Sequence, residues 1–271
     1  MNTSAPVLER LEPVPAEAGG QVLHLTLNRP ESRNAMSLAM VDALLQALAD
    51  AEARGDVRAI VLRGAGGHFC AGGDLKDMAA ARGAPDAATA MAAVNARFGA
   101  LCLAYAATGM ALVAVVEGTV MGGGFGLACV ADLVLAGDSA RFRLPETSLG
   151  VVPAQIAPFL VERLGYAEAK RLAVTGCQLD ASQALALGLV HEAHPAGALD
   201  HAVAHALAGI LRCAPQAVAA TKALMARARF EAPANLVNDA ARIFGTAVVG
   251  AEGTEGTTAF LQKRPPNWAP T

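Results

Sequence analysis

Residues 120–132 read VMGGGFGLACVAD: four glycines within five positions open a stretch whose other residues suit a helix. Glycine is the poorest ordinary helix former, so a run of it at a helix start means that the main chain itself is in use. Either a neighbour packs very closely against it, or its N–H groups face a ligand. Immediately upstream, ALVAVVEG (111–118) reads as a buried strand, and downstream DLVLAG (132–137) reads as another. A glycine-opened helix between two buried strands is the signature of an α/β fold.

The same pattern extends outward in both directions. QVLHLTLNRP (21–30) alternates around Val22, Leu23, Leu25 and Leu27 and stops at Pro30, a strand and a turn. Ser37 is placed to cap a helix whose apolar positions Val41, Leu44, Leu45 and Leu48 fall at helical spacing. VRAIVLRG (57–64) is a third buried strand. An alanine-rich helical stretch over 79–107 is broken by Pro85, and LVHEAHP (189–195) holds a late, short strand. From about 198 the pattern is helical nearly throughout, with a last helix over 252–264. A boundary is therefore expected between a strand-containing core, 1–198, and a helical region, 199–271. The ends, 1–20 and 264–271, are proline-rich and expected to be extended tails.

The 271 residues are 54% hydrophobic and carry a net charge of −3, which supplies a large core and no basic face for nucleic acid. Five widely spaced cysteines without a CxxC motif predict reduced thiols in a cytoplasmic protein, without disulfides or zinc. The six histidines give no metal set: His201 and His205 share a helical face but find no third ligand. The opening MNTSAPVLERLEPVP has no signal-peptide pattern. Charges or glycines are expected to interrupt every apolar segment short of membrane-spanning length, so no membrane partner is expected.

A second glycine-bearing segment, HFCAGGDL (68–75), follows the strand at 57–63. Parallel strands deliver their following loops to one edge of a sheet, where α/β proteins bind ligands. Two loops meeting there could aim two N–H groups at one carbonyl oxygen and stabilise negative charge developing on it. Neither loop matches a dinucleotide fingerprint, a Walker lysine or a G-x-S-x-G elbow.

With these residues in view, HFCAGGDLKDM (68–78), MGGGFGLACVADLVLA (121–136), ARFRLPETSLGVVP (140–153) and VTGCQLDASQALALGLV (174–190) resemble, in that order, the crotonase superfamily of enoyl-CoA hydratases and isomerases. LTLNRPESRNAMS (25–37) and EGTTAFLQKRPPN (255–267) fit as well, so the resemblance covers about residues 20–266. It implies a spiral of repeated ββα units and a C-terminal helical region that builds homotrimers, often paired into hexamers. It implies acyl-CoA thioester substrates, with coenzyme A as part of the substrate and neither metal nor separate cofactor. It implies that the backbone N–H groups of Gly73 and Gly123 form the oxyanion hole.

The resemblance also implies two glutamates, one in the pattern GGGxE and one in the PE of the following segment. The second is Glu146; at the first position stands Gly126, which has no side chain. Glu146 is the expected acid–base residue, since a carboxylate beside an apolar acyl pocket has its proton affinity raised. Gln155 is a candidate for holding water in a hydratase so altered, or else an amide that ties down loop backbone. Glu117 is expected to support the loop, and Asp74 to fix it through side-chain bonds to backbone. The segment PAQIAPFLVERLG (153–165) resembles hydratases of branched glutaconyl-type CoA esters, the isohexenylglutaconyl-CoA hydratase-like subgroup.

Coenzyme A contacts are implied at Ser32 and Arg33, at the backbone of Ala71, Asp74 and Leu75, and, from a neighbouring subunit, at Phe260 and Lys263. Met78, Met91 and Phe98 are expected to line or cover the acyl tunnel. Three functional readings follow: a hydratase with a modified water site, an enoyl-CoA isomerase using Glu146 alone, and a catalytically poor CoA-binding paralogue.

Overall fold

The computed structural model describes residues 5–195 and 197–270. Its larger sheet runs in the order β1 (Val7–Pro13), β2 (Gln21–Leu27), β3 (Val57–Gly64), β4 (Ala111–Val116), β6 (Leu133–Gly137), β9 (Glu192–His194). From β2 onward every pairing is parallel; β1 is antiparallel to β2, Val7 opposite Leu27. The N-terminal segment expected as an extended tail thus contains an edge strand. Its VLERLEP composition, with all but two residues exposed, hides it from a search for buried apolar runs.

A smaller sheet joins β5 (Thr119–Met121), β7 (Arg141–Arg143) and β8 (Gln178–Asp180). Isolated parallel bridges, Cys70 with Val120 and Met36 with Gly73, extend this second layer backward along the chain. Each turn therefore consists of a long strand in the large sheet, a short strand or bridge in the small one, and a helix. The repeat reads β2–Met36–α1 (Leu38–Arg54), β3–Cys70–α2 (Leu75–Arg82) with α3 (Ala87–Ala107), β4–β5–α4 (Gly123–Val130), then β6–β7–α5 (Ala157–Thr175). This is the expected ββα spiral. The three-residue strands escape sequence reading because so few residues cannot establish an alternation.

Local signals set the helix ends. The Ser37 hydroxyl accepts from Met40 N–H to cap α1, and Gly55 closes it in the left-handed region. The interruption at Pro85 separates α2 from α3. α3 nevertheless has the length and composition to cross a membrane, against the expectation that every apolar segment is broken first. Here it packs against α1, α2 and α4.

Alternation along the inner strands divides the core. Ile60, Leu62, Leu112 and Val134 face α1, α3, α4 and α5, while Ala59, Val61, Val113 and Leu135 face the other way. That second face is covered by α7 (Leu199–Ile210) through Leu199, Ala202, Val203 and Leu207. The chain ends in α6 (Ala181–Ala186), α7, α8 (Pro215–Ala228), α9 (Pro233–Val249) and α10 (Ala251–Leu261). Arg58 on β3 ties this region back, donating to the carbonyls of Leu211 (2.7 Å), Cys213 (3.0 Å) and Trp268 (2.6 Å).

Candidate active site

The two glycine segments lie side by side and are stitched together by backbone. Phe69 N–H donates to the Glu117 carbonyl (2.9 Å), Cys70 N–H to Thr119 (3.0 Å), and Met121 N–H to Cys70 (2.9 Å). Packing then demands the glycines. A Cβ on Gly124 would stand 2.6 Å from the Cys70 carbonyl oxygen. Gly122 adopts φ +49°, and a Cβ there would stand 2.9 Å from Glu146 Oε1. A Cβ on Gly72 would stand 3.7 Å from Gly122 Cα, so the two loops touch at these residues.

Gly73 and Gly123 each follow one of the touching glycines. Among the described residues, neither N–H donates any of the backbone bonds that stitch the loops. Gly123 opens α4, so its N–H is one of those a helix leaves without an internal acceptor. Apolar side chains cover both positions: Met78 Sδ lies 3.7 Å from where a Gly73 Cβ would be, and the Phe98 ring 3.0 Å from the corresponding point at Gly123. Met91 is half-buried two turns earlier on α3.

Glu146 opens a single 3₁₀ turn, Glu146–Leu149, closed by Gly150 in the left-handed region. The Ser148 hydroxyl donates to the Pro145 carbonyl and the Thr147 hydroxyl to Ala173, which fixes the turn against α5. Gly122 N–H donates to the Arg143 carbonyl (3.1 Å), tying the strand before Glu146 to the glycine run. Oε2 of Glu146 is inaccessible to solvent and has no hydrogen-bond partner among the described residues. Burial pushes this carboxyl above the usual carboxylate range, only partly offset by backbone hydrogen bonding.

The place of a side chain at position 126 is taken. An ideal Cβ on Gly126 would stand 2.2 Å from Ile156 Cγ2 and 3.9 Å from the Phe98 ring. The next residue back, Gln155, reaches α3, where its Oε1 lies 2.1 Å from the Cβ position of Gly99. Sequence reasoning did not find Ile156. A glycine where a carboxylate is expected signals a vacancy to be filled, but not by which residue.

The residues expected near coenzyme A fall into two groups. Ser32 sits in a short turn, its hydroxyl on the Arg29 carbonyl, and Arg33 is exposed at φ 51°. The Arg33 carbonyl accepts from Ala71 N–H (3.0 Å), joining this turn to the first glycine loop. The side chain of Asp74 caps α2 by accepting from Lys76 N–H and Asp77 N–H, and it pairs with Arg29 at 2.5 Å. Both main-chain groups of Asp74 are used internally, N–H to Met36 and C=O to Met78, which leaves Ala71 and Leu75 to present main chain. Asn34, unnoticed in the sequence, is fully buried and staples the turn to the loop, donating to the carbonyls of Ala65 and His68. Phe260 and Lys263 form the second group, exposed at the end of α10. The Glu117 side chain lies against Gly137, while its carbonyl serves the stitch. A cleft of about 360 Å³ lined by Asp138, Arg141, Asp180, Ser182 and His194 shares no residue with this cluster. Chemistry places the candidate site at the glycine loops.

Comparisons with known proteins agree with this reading of the fold. The profile of the enoyl-CoA hydratase/isomerase family matches residues 17–270. The chain is 53% identical to Pseudomonas aeruginosa AtuE, with a TM-score of 0.90, covering 96% of this chain and 99% of that one. It is 46% identical to an enoyl-CoA hydratase/isomerase from Marinobacter aquaeolei, again at a TM-score of 0.90, covering 97% and 98%. A 2,3-dehydroadipyl-CoA hydratase from Escherichia coli is 32% identical over 250 residues, 92% of this chain and 95% of that protein. With a ββα spiral that superposes on these structures and a family profile spanning nearly its whole length, this chain belongs to the enoyl-CoA hydratase/isomerase family, the crotonase superfamily, as an enzyme of the enoyl-CoA hydratase type acting on acyl-CoA thioesters.

Proposed function

We propose that this enzyme adds water to an α,β-unsaturated, branched glutaconyl-type CoA thioester, with Glu146 as its one acid–base carboxylate. The observation that carries the reading is the Glu146 carboxyl, whose Oε1 lies against Gly122, next to the two proposed N–H donors, and whose Oε2 is solvent-excluded and unpartnered among the described residues. The thioester oxygen is received by Gly73 and Gly123 N–H. As water bonds to Cβ, the π electrons move to that oxygen as an enolate, which fixed dipoles solvate. Glu146 takes the proton that the water gives up and returns it to Cα, so that the carboxylate is regenerated. Raised proton affinity suits this exchange, since efficient acid–base groups titrate nearer the operating pH.

The coenzyme A portion is assigned to Ser32, Arg33 and the main chain of Ala71 and Leu75, with Asp74 holding the loop between them. Phe260 and Lys263, exposed on one chain, are assigned to the ligand of a neighbouring copy in a homotrimer or hexamer. The branched glutaconyl class is supported by PAQIAPFLVERLG (153–165), and hydration by a relative that is a 2,3-dehydroadipyl-CoA hydratase.

Ile156 in the place of a second acid favours one other reading, double-bond isomerisation by Glu146 alone. Enoyl absorbance with crotonyl-CoA, a 3-enoyl-CoA and branched glutaconyl-type CoA esters separates the two. Loss of conjugation is the expected result, gain would mark an isomerase, and no change with any ester would mark a CoA-binding paralogue. Glu146→Gln is expected to lower turnover at least ~100-fold; unaltered turnover would remove Glu146 from the mechanism.

A further inference from the structure

We infer that the side-chain amide of Gln155 holds the attacking water against Cβ of the substrate, in the role that a carboxylate at position 126 would otherwise have. The inference rests on the hydratase reading above and supplies its missing second polar group.

Three observations converge on this residue. Position 126 cannot project a side chain toward substrate, because Ile156 Cγ2 already occupies the place of its Cβ. The residue that delivers Ile156 is preceded by Gln155, whose amide drops into a notch over Gly99, with Oε1 2.1 Å and Cδ 2.7 Å from where a Cβ would be. Gly99 adjoins Phe98, the residue whose ring covers both Gly123 and Gly126, so the amide lies along the same wall of the site. Finally, Gln155 is half-buried, and among the described residues no hydrogen bond engages its amide, which is not among the side-chain groups sealed from solvent. An amide serving only to tie down a loop would be bonded to backbone, whereas this one keeps its capacity for something else. Met78, Phe98 and Ile156 offer apolar surface alone, so an attacking water has this amide and Glu146 to meet.

In the step so assigned, one O–H of the water faces Glu146 and gives up its proton there, while the other donates to Gln155 Oε1. The oxygen lone pair is thereby aimed at Cβ. Gln155 neither gains nor loses a proton.

The test uses full-length protein and two variants. Gln155→Leu is expected to lower kcat for hydration about 10- to 100-fold, with little change in its calorimetric affinity for butyryl-CoA. Gly99→Ala keeps the amide but puts a methyl where Oε1 lies, and alanine suits the interior of α3 better than glycine. It is expected to slow hydration without lowering the melting temperature. Full-rate hydration in either variant overturns the assignment. So does a parallel fall of kcat and affinity in Gln155→Leu, which would make the amide a support of pocket shape. A wild-type enzyme that hydrates none of the esters would instead sink the hydratase reading, and this assignment with it.

Discussion

At the scale of single residues, Gly126 and Ile156 form one fitted pair. A methyl at 126 would stand 2.2 Å from Ile156 Cγ2, far inside van der Waals contact. Gly126→Ala gains up to ~1 kcal/mol of helix propensity but incurs overpacking of about 1–3 kcal/mol. Net destabilisation is expected in a denaturant melt, and it should shrink when combined with Ile156→Ala, a coupling that a double-mutant cycle measures. Gly126→Glu by itself is therefore no restoration of a two-carboxylate site, because the space must first be cleared. Glu146 carries a second expectation. Burial pushes its carboxyl above the ordinary range, and in the proposed mechanism it acts as a base when ionised. Activity should accordingly fall, as pH drops, at a higher pH than an unperturbed glutamate near ~4.3 would set. A kcat/KM profile whose acid limb sits at the unperturbed value would contradict this.

At the scale of elements, α2 and α4 are held from opposite ends. α2 depends on its N-cap, where burial disfavours the Asp74 charge but the Arg29 guanidinium and the Lys76 N–H outweigh it and keep the carboxyl below its usual range. That contribution is complete above the unfolded carboxylate pKa and is lost as pH falls through the depressed folded value. Asp74→Ala, which removes a cap and strands Arg29, is expected to cost about 1–3 kcal/mol. The deficit should narrow in melts at low pH. α4 is fastened at its C-terminus by Arg163, which donates to the carbonyls of Cys129 and Ala131. Its positive charge also suits the negative end of the helix dipole.

The sequence disclosed elements whose causes are local. Ser37 caps α1 because its hydroxyl meets an N–H three residues away, and β3 ends at Gly64 as its apolar run predicts. Pro85 divides two helices for reasons inside one peptide unit. Of the site, Glu146 and the two glycine loops were legible as motifs, and the contact between the loops follows from parallel strands. What stayed hidden depends on distant partners. Ile156 filling Gly126, Gln155 over Gly99 and Asn34 bridging to His68 all join residues 30 or more positions apart. β5, β7 and β8 are strands only because they find one another.

At the scale of the whole molecule, a sheet buried on both faces supports a helical end that leaves much apolar surface open. Phe230, Phe244, Phe260 and Leu261 are each at least 70% exposed on α8–α10 or just after them. We propose that this exposed apolar area is an association surface. Sedimentation is expected to give an assembly larger than one chain, and Phe244→Glu to shift it toward monomer; a purely monomeric wild type would refute this. Arg58 gives the end of the chain a further role. Replacing it with Met leaves three carbonyls without their donor, two of them in buried bonds, and is expected to lower the melting temperature by several degrees.

The backbone stitching of 69–70 to 117–121 has a practical corollary for redesign. Both segments of the proposed oxyanion site are registered to one another by main-chain atoms, which no side-chain replacement deletes. Attempts to retune acyl preference can therefore be concentrated on Met78, Phe98 and Ile156, with the polar geometry beneath them inherited unchanged.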